Sequence, residues 1–154
     1  MMMILIRHAT AEPWTDTSSD FQRPLSGDGQ QQARGLNRWL RERLNGHQDN
    51  DWTACYSPAL RTLQTMQTCL CELDWVNQTP DRRIWQAGVQ DLLDVIASQH
   101  HPSGGLIIIG HNPGLEQLGL HLTGLLQPLS TGSLIELSQP LPGQAAQLVH
   151  QFGA

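Results

Sequence analysis

The chain alternates short apolar runs with longer stretches in which apolar residues recur every three or four positions. The apolar runs are residues 2–7, 53–56 and 106–109. Runs of this length without polar interruption indicate strands buried on both faces. Further strands are predicted near residues 82–85, 133–137 and 146–150.

Four amphipathic stripes predict helices between these strands. Ser26 is placed to cap the first helix. The second and fourth helices are predicted to begin at Ser57-Pro58 and Asn112-Pro113, since Pro is favoured just after a capping residue. The inward positions are Ala33, Leu36, Leu40 and Leu44 in the first helix, Ala59, Leu63, Met66, Leu70 and Leu73 in the second, Val89, Leu92, Leu93 and Ile96 in the third, and Leu115, Leu118, Leu122 and Leu125 in the fourth.

This order of elements predicts an α/β fold, a three-layer α/β/α sandwich with a mostly parallel sheet, and a single domain over residues 1–154. In such sheets, ligands bind beyond the carboxyl ends of the strands. Any chemistry is therefore expected at that edge.

Composition narrows the classes of protein that fit. Of the 154 residues 39% are hydrophobic and 15% charged, which is typical of a globular domain. The net charge of -5 argues against nucleic acid as a partner. No apolar run approaches the roughly 20 residues of a membrane span, and the N-terminus lacks a signal-peptide pattern. The chain has three cysteines, an odd number. Together these features predict a cytoplasmic protein without disulfides.

Basic and imidazole side chains follow three of the predicted strands. Arg7 and His8 end the first, Arg61 lies one turn into the helix after the second, and His111 follows the apolar run 106–109. All nine basic residues are Arg, which suits bidentate recognition of phosphate, although a coding bias gives the same composition. Each side chain alone has an ordinary structural interpretation; together they indicate a site for phosphate or a similar oxyanion.

Three motifs in this order resemble the signatures of the histidine phosphatase superfamily. They are R-H-A at residues 7–9, S-P-A-L-R-T-L-Q-T at residues 57–65 and G-H-N-P at residues 110–113. The short chain, the segment R-P-L-S at 23–26 and S-T-G at 130–132 are similar to the SixA-like phosphohistidine phosphatases. The resemblance spans Met2 to about Leu137 and implies a phosphoglycerate-mutase-like fold.

The resemblance also implies roles for the site residues. His8 would be the nucleophile and carry a transient phosphoryl group, while Arg7 and Arg61 would hold the phosphoryl oxygens. His111 would donate to the same oxygens as an imidazolium. Arg23 is either a third clamp or the ion-pair partner of Asp20 or Asp28. Ser57, Asn112 and Thr131 are candidate substrate-binding residues, although helix capping is the favoured role for Ser57 and Asn112.

The motifs depart from many superfamily members in lacking an evident proton donor. Asn112 follows His111 where some members have Asp, and an amide cannot supply a proton. Glu12, Asp16 and Asp20 lie in the loop after His8, and we take Glu12 as the candidate acid, with a solvated loop charge as its alternative. An imidazole leaving group needs less proton assistance than an alkoxide. The sequence therefore favours phosphohistidine as substrate.

The expected partners are phosphate and a histidine-phosphorylated protein, such as a phosphotransfer domain, without nucleic acid, membrane, metal or cofactor. A general phosphomonoesterase of the same fold and a phosphate-binding module without turnover are the alternatives. Mutase activity is disfavoured because the chain has no room for the usual insertions. Metal binding at His47 or at His100-His101 is disfavoured, since adjacent residues on a helix do not face one site.

Overall fold

The computed structural model describes residues 2–99, 104–138 and 144–153. Its strands are β1 (Met2–Arg7), β2 (Trp52–Tyr56), β3 (Asn77–Pro80), β4 (Gly105–Gly110), β5 (Leu134–Ser138) and β6 (Leu148–Phe152). Its helices are α1 (Gly27–Arg43), α2 (Leu60–Cys69), α3 (Val89–Ser98) and α4 (Gly114–Thr123), with short 3₁₀ helices at Asp20–Gln22 and Arg82–Ile84. Among the described residues, no helix is both long and apolar enough to cross a membrane.

The six strands form one sheet in the order β3-β2-β4-β1-β5-β6. The first four in that order run parallel, and β5 and β6 are antiparallel to their neighbours. The mostly parallel sheet predicted from the sequence is confirmed. Parallel pairing brings the carboxyl ends of β1, β2 and β4 to the same edge.

Alternate residues of the central strands face opposite sides of the sheet. Ile4 and Ile6 of β1 pack into a core with residues of α1 and α2, such as Leu36 and Met66. Met3 and Leu5 belong to the other core, with residues of α3 and α4. Because both faces are covered, the central strands are apolar throughout, which is the pattern that identified them.

The strand predicted near residues 82–85 is wrong. That segment is a 3₁₀ helix, and the Asp81 side chain accepts a hydrogen bond from the Arg83 backbone N–H at 2.9 Å. The strand lies earlier, at Asn77–Pro80, on the edge of the sheet. All four of its residues are exposed, so it carries no apolar pattern by which it could be recognised.

The first helix begins as predicted, with the Ser26 hydroxyl accepting a hydrogen bond from the Gly29 N–H at 3.1 Å. The predicted starts of α2 and α4 are wrong by one or two residues. Those helices begin at Leu60 and Gly114, with Ala59 and Pro113 as their flanking residues and no side-chain cap. The polar side chains just before them are therefore available for other contacts.

Candidate active site

Backbone hydrogen bonds continue the sheet past its strands and fix the three segments that carry the site. The His8 N–H donates to the carbonyl of Gly110 at 3.0 Å, and the Ser57 N–H donates to Ile109 at 3.1 Å. Since Arg7 pairs with Gly110 in the sheet register, His8 and His111 leave adjacent strands at the same level. Their ring centroids are 5.1 Å apart.

The His8 imidazole is buried, and one of its nitrogens has a fixed role. Nδ1 lies 2.8 Å from the carbonyl oxygen of Ala9. A carbonyl only accepts hydrogen bonds, so Nδ1 carries the proton and Nε2 keeps its lone pair. The Ala9 N–H in turn donates to Thr65 Oγ1 at 3.0 Å, and that hydroxyl donates to the Arg61 carbonyl at 2.8 Å. This chain of contacts ties the orientation of His8 to helix α2.

The surroundings of His8 keep it neutral. The pKa of His8 is lowered to about 4, mainly by burial and also by the charges of Arg61, Arg7 and Arg23, against the opposing effect of the hydrogen bond to Ala9. An imidazole with this pKa is unprotonated at neutral pH. His8 therefore presents a nucleophilic nitrogen next to three cations.

His111 is also neutral when only protein groups surround it, and the imidazolium expected for it beside a bound phosphoryl group stays a prediction. Burial, followed by the charges of His8, Arg61 and Arg7, lowers its pKa to about 3. Its Nε2 shares hydrogen bonds with Ser57 Oγ at 2.8 Å and Thr62 Oγ1 at 3.3 Å. An anion bound between the rings and the arginines would offset this repulsion and raise the pKa.

Two arginines reach the site from different elements and are held by backbone carbonyls. Arg7 Nη1 donates to the Leu129 carbonyl at 2.9 Å, and Arg61 Nη1 donates to the Asp20 carbonyl at 2.7 Å. Arg61 Nη2 also lies 3.3 Å from the Asp20 carboxylate. These contacts leave other guanidinium N–H groups to bind an anion.

The ion pair expected for Arg23 is confirmed, and its role as a third clamp stays a prediction. Its Nε lies 3.1 Å from the carboxylate of Asp20, which makes the ion pair, although the angle is not that of a hydrogen bond. Its charge is one of those that lower the pKa of His8. Asp20 thus contacts two of the three site arginines, a position that its place in a polar loop did not indicate.

Several buried polar atoms at this edge have no hydrogen-bond partner among the described residues. They are Arg7 Nε, Arg23 Nε, Arg61 Nε, His111 Nδ1 and Asn112 Oδ1; outside the site only Trp52 Nε1 shares this property. Four of these atoms are nitrogens that can donate, and Asn112 Oδ1 is an acceptor. Buried polar atoms are normally paired, so the four nitrogens indicate a ligand that accepts hydrogen bonds. A tetrahedral oxyanion fits this donor set.

The remaining predicted site residues are Ser57, Asn112, Thr131 and Glu12. Ser57 binds His111 rather than capping α2, and Asn112 Nδ2 donates to the Leu129 carbonyl at 2.9 Å rather than capping α4. Thr131 pairs with the Thr10 hydroxyl at 2.8 Å. Glu12 is exposed, and its side chain makes no hydrogen bond to any described residue.

Three further residues, Gln64, Thr65 and Trp85, support the site without having been predicted from the sequence. Gln64 Oε1 accepts from the Leu25 N–H at 2.8 Å and anchors the segment that carries Arg23. Both Gln64 and Thr65 belong to the second motif, whose Q-T pair is the signal that could have identified them. Trp85 lies edge-on to His111, with ring centroids 5.1 Å apart, and no motif marks it.

No cluster of three His, Cys, Asp or Glu side chains suited to a metal ion is found in the described part of the chain. His47 Nδ1 is 3.1 Å from Asn50 Nδ2 in a surface turn. His100 and His101 lie outside the described residues.

The fold and this edge of the sheet define a three-layer α/β/α protein with paired histidines and arginines at the carboxyl ends of its strands. No family model matches the sequence, and no curated protein sequence matches it. Solved structures do match. SixA of Agrobacterium tumefaciens, a provisionally assigned phosphohistidine phosphatase, superimposes with a TM-score of 0.84 at 22% identity, covering 99% of this chain and 97% of that chain.

Two further structures carry oxyanions that resemble phosphate. The protein histidine phosphatase SixA complexed with tungstate has a TM-score of 0.76 at 21% identity over 98% of this chain and 96% of that chain. A mycobacterial glucosyl-3-phosphoglycerate phosphatase, in complexes with VO3, has a TM-score of 0.67 at 14% identity over 96% of each chain. The likeness confirms the phosphoglycerate-mutase-like fold that the three motifs implied.

Proposed function

We propose that the protein is a phosphohistidine phosphatase that acts through a phosphoryl group carried on His8. The observation that carries the proposal is the neutral His8 imidazole, whose Nδ1 is occupied by the Ala9 carbonyl and whose Nε2 is available among Arg7, Arg23 and Arg61. A fixed tautomer and a low pKa are what a nitrogen nucleophile requires at neutral pH. The SixA likeness supports the same reaction class.

The reaction would proceed in two displacements. The Nε2 lone pair of His8 forms a bond to phosphorus as the bond from phosphorus to the leaving group breaks, and the leaving group keeps that electron pair. Water then attacks the phosphorus, the bond to His8 breaks, and inorganic phosphate is released. Each step passes through a transition state with charge spread over three equatorial oxygens.

The arginines would stabilise that charge. Arg7 and Arg61 have buried Nε groups without partners and are each anchored by a backbone carbonyl, so their positions are set before substrate binds. Such fixed donors stabilise developing negative charge without reorganisation in the transition state. Ser57, whose Oγ is hydrogen-bonded to His111 Nε2 at 2.8 Å, would orient that ring toward the phosphoryl oxygens.

The carboxylates near the site support an imidazole leaving group over an alkoxide. Glu12 makes no contact that would direct it to the site, and Asp20 is ion-paired with Arg61 and Arg23. An alkoxide needs a proton from a group of this kind. When a phosphorylated imidazole is protonated on its other nitrogen, cleavage of the nitrogen–phosphorus bond releases neutral imidazole. This leaving group needs no proton from the enzyme. A phosphotransfer domain is the kind of protein that carries such a group.

The test uses a histidine-phosphorylated phosphotransfer domain with wild type and His8→Ala, without added metal. We expect phosphate release by wild type and at least about a 10³-fold loss in the variant, as for removal of a nucleophile. Parallel rates on an aryl phosphate and a sugar phosphate separate this function from a general phosphomonoesterase. Efficient cleavage of the sugar phosphate with no cleavage of phosphohistidine would refute the proposal.

A further inference from the structure

A cleft of about 480 Å³ opens beside the candidate site and is not explained by phosphate binding alone. Arg61 and His111 line it together with Asp20, Trp85 and the residues that follow Trp85. Because two groups placed to hold the phosphoryl oxygens also line the cleft, whatever is attached to the phosphorus extends into it. Its volume lies within the roughly 300–1,000 Å³ range of small-molecule sites.

The principal wall of this cleft is an aromatic ring held in place by three neighbours. Trp85 makes edge-to-face contacts with Phe21 and His111, each with ring centroids 5.1 Å apart. The guanidinium carbon of Arg61 lies 5.4 Å from the centre of the Trp85 ring. An aromatic side chain fixed in this way needs no reorganisation on binding a flat ligand.

The backbone around Trp85 explains its position. The preceding 3₁₀ helix is anchored by Ile84, which is almost fully buried in the core shared with α3 and α4. The next residue, Gln86, has a φ of 54°, a left-handed conformation that turns the chain sharply toward α3. Trp85 is thus placed between a buried anchor and a tight turn, with its ring in the cleft.

Asp20 is the one carboxylate among the described residues that line the cleft, which also include the cation Arg61. The Asp20 carboxylate lines the cleft and is 49% exposed, so it is accessible to a ligand. The Trp85 indole already has the Arg61 guanidinium over its ring, so what it adds for a ligand is a flat aromatic surface. A phosphorylated imidazole that is protonated on its second nitrogen is both flat and positively charged, whereas a sugar or a serine alkoxide is neither.

We infer, resting on the proposed function, that this cleft binds the imidazole ring of the substrate's phosphohistidine and that Trp85 and Asp20 select that ring. The exposed Asp20 carboxylate would accept a hydrogen bond from the protonated second nitrogen of that ring. As the nitrogen–phosphorus bond breaks, the electron pair returns to the ring nitrogen and the ring departs as neutral imidazole with its existing proton. Trp85 is a specificity-determining residue in this account.

The test compares two substrates with a nitrogen–phosphorus bond, of which one has a ring: free phosphohistidine and phosphoramidate. We expect Trp85→Leu to lower kcat/KM on phosphohistidine about tenfold more than on phosphoramidate, and Trp85→Phe to restore most of the difference. Trp14→Leu is the matched control. Trp14 is 62% exposed in the loop after His8 and is not among the residues that line the cleft.

The outcomes separate this inference from the proposed function. If Trp85→Leu lowers kcat/KM equally on both substrates, Trp85 only supports Arg61 and His111, and the inference fails while the phosphatase stands. The inference also fails if the variant matches wild type on phosphohistidine. If wild type cleaves neither substrate while it releases phosphate from a histidine-phosphorylated phosphotransfer domain, the inference fails and the proposed function stands. If wild type acts on none of the three, both are overturned.

Discussion

The imidazole rings of His8 and His111 lie 5.1 Å apart at the ends of two adjacent parallel strands, and burial and nearby positive charge hold both neutral. The sheet register creates this arrangement, because each histidine directly follows one residue of the pair Arg7 and Gly110. Two neutral imidazoles among three arginines give one nucleophile and one hydrogen-bonding group. The protonation of this pair leads to the first predictions.

The His8 ring should remain unprotonated far below the usual range of histidine. Burial lowers its pKa to about 4. We therefore expect its NMR resonances to be constant from pH 8 to about 5.5 and to shift only near pH 4. His8→Gln assigns the signal by removing it. A midpoint at pH 6 or above would contradict the buried, cation-flanked environment.

The same lowered pKa makes the folded protein less stable in mild acid. The unfolded chain takes up a proton on His8 near pH 6.5 while the folded chain does not until about pH 4. Stability is therefore unaffected above pH 6.5 and falls as the pH drops between these values, by about 1–2 kcal/mol from pH 7 to 5. Urea unfolding at both pH values should show His8→Gln losing less stability than wild type over this interval. Equal losses would contradict this prediction.

Asp20 competes with an incoming anion for Arg61. Its carboxylate lies 3.3 Å from Arg61 Nη2, while its backbone carbonyl holds Nη1 at 2.7 Å whatever the side chain. Asp20→Asn should therefore bind inorganic phosphate about 3–10-fold more tightly, because one negative charge is lost and Arg61 stays anchored. Calorimetric titration measures this, with Asp16→Asn, an exposed change in the same loop, as control. Weaker binding by Asp20→Asn would show that the carboxylate is needed to position Arg61.

A buried ion pair far from the site should matter for folding and not for catalysis. Glu136 on β5 is fully buried, with Arg43 donating to its carboxylate at 2.9 and 2.7 Å. Arg43→Met leaves that carboxylate with only the His150 contact at 2.8 Å, at a cost of about 3–5 kcal/mol. Arg41→Met, which breaks the exposed pair with Glu72, should cost about 0–1 kcal/mol. Denaturant unfolding of both variants tests the contrast, which equal costs would contradict.

The sequence was sufficient to predict the buried strands, because β1, β2 and β4 are apolar on both faces. Since ligands bind beyond the carboxyl ends of parallel strands, these strands then indicated where the site lies. It did not predict β3, whose exposed residues have no periodic signal. The capping roles of Ser57 and Asn112 were wrong because tertiary contacts, with His111 and the Leu129 carbonyl, replaced local ones. Trp85 was missed because its importance comes only from proximity in space.

The most direct test of the account is to trap the phosphoryl group on the protein. Wild type and His8→Gln are mixed briefly with a histidine-phosphorylated phosphotransfer domain. The reaction is quenched in alkali, because phosphohistidine is stable there, and the phosphorylated peptides are identified by mass spectrometry. The account predicts a phosphoryl group on the peptide containing His8 in wild type and none in the variant. Hydrolysis by wild type without a phosphorylated His8, or with equal release by His8→Gln, would contradict it.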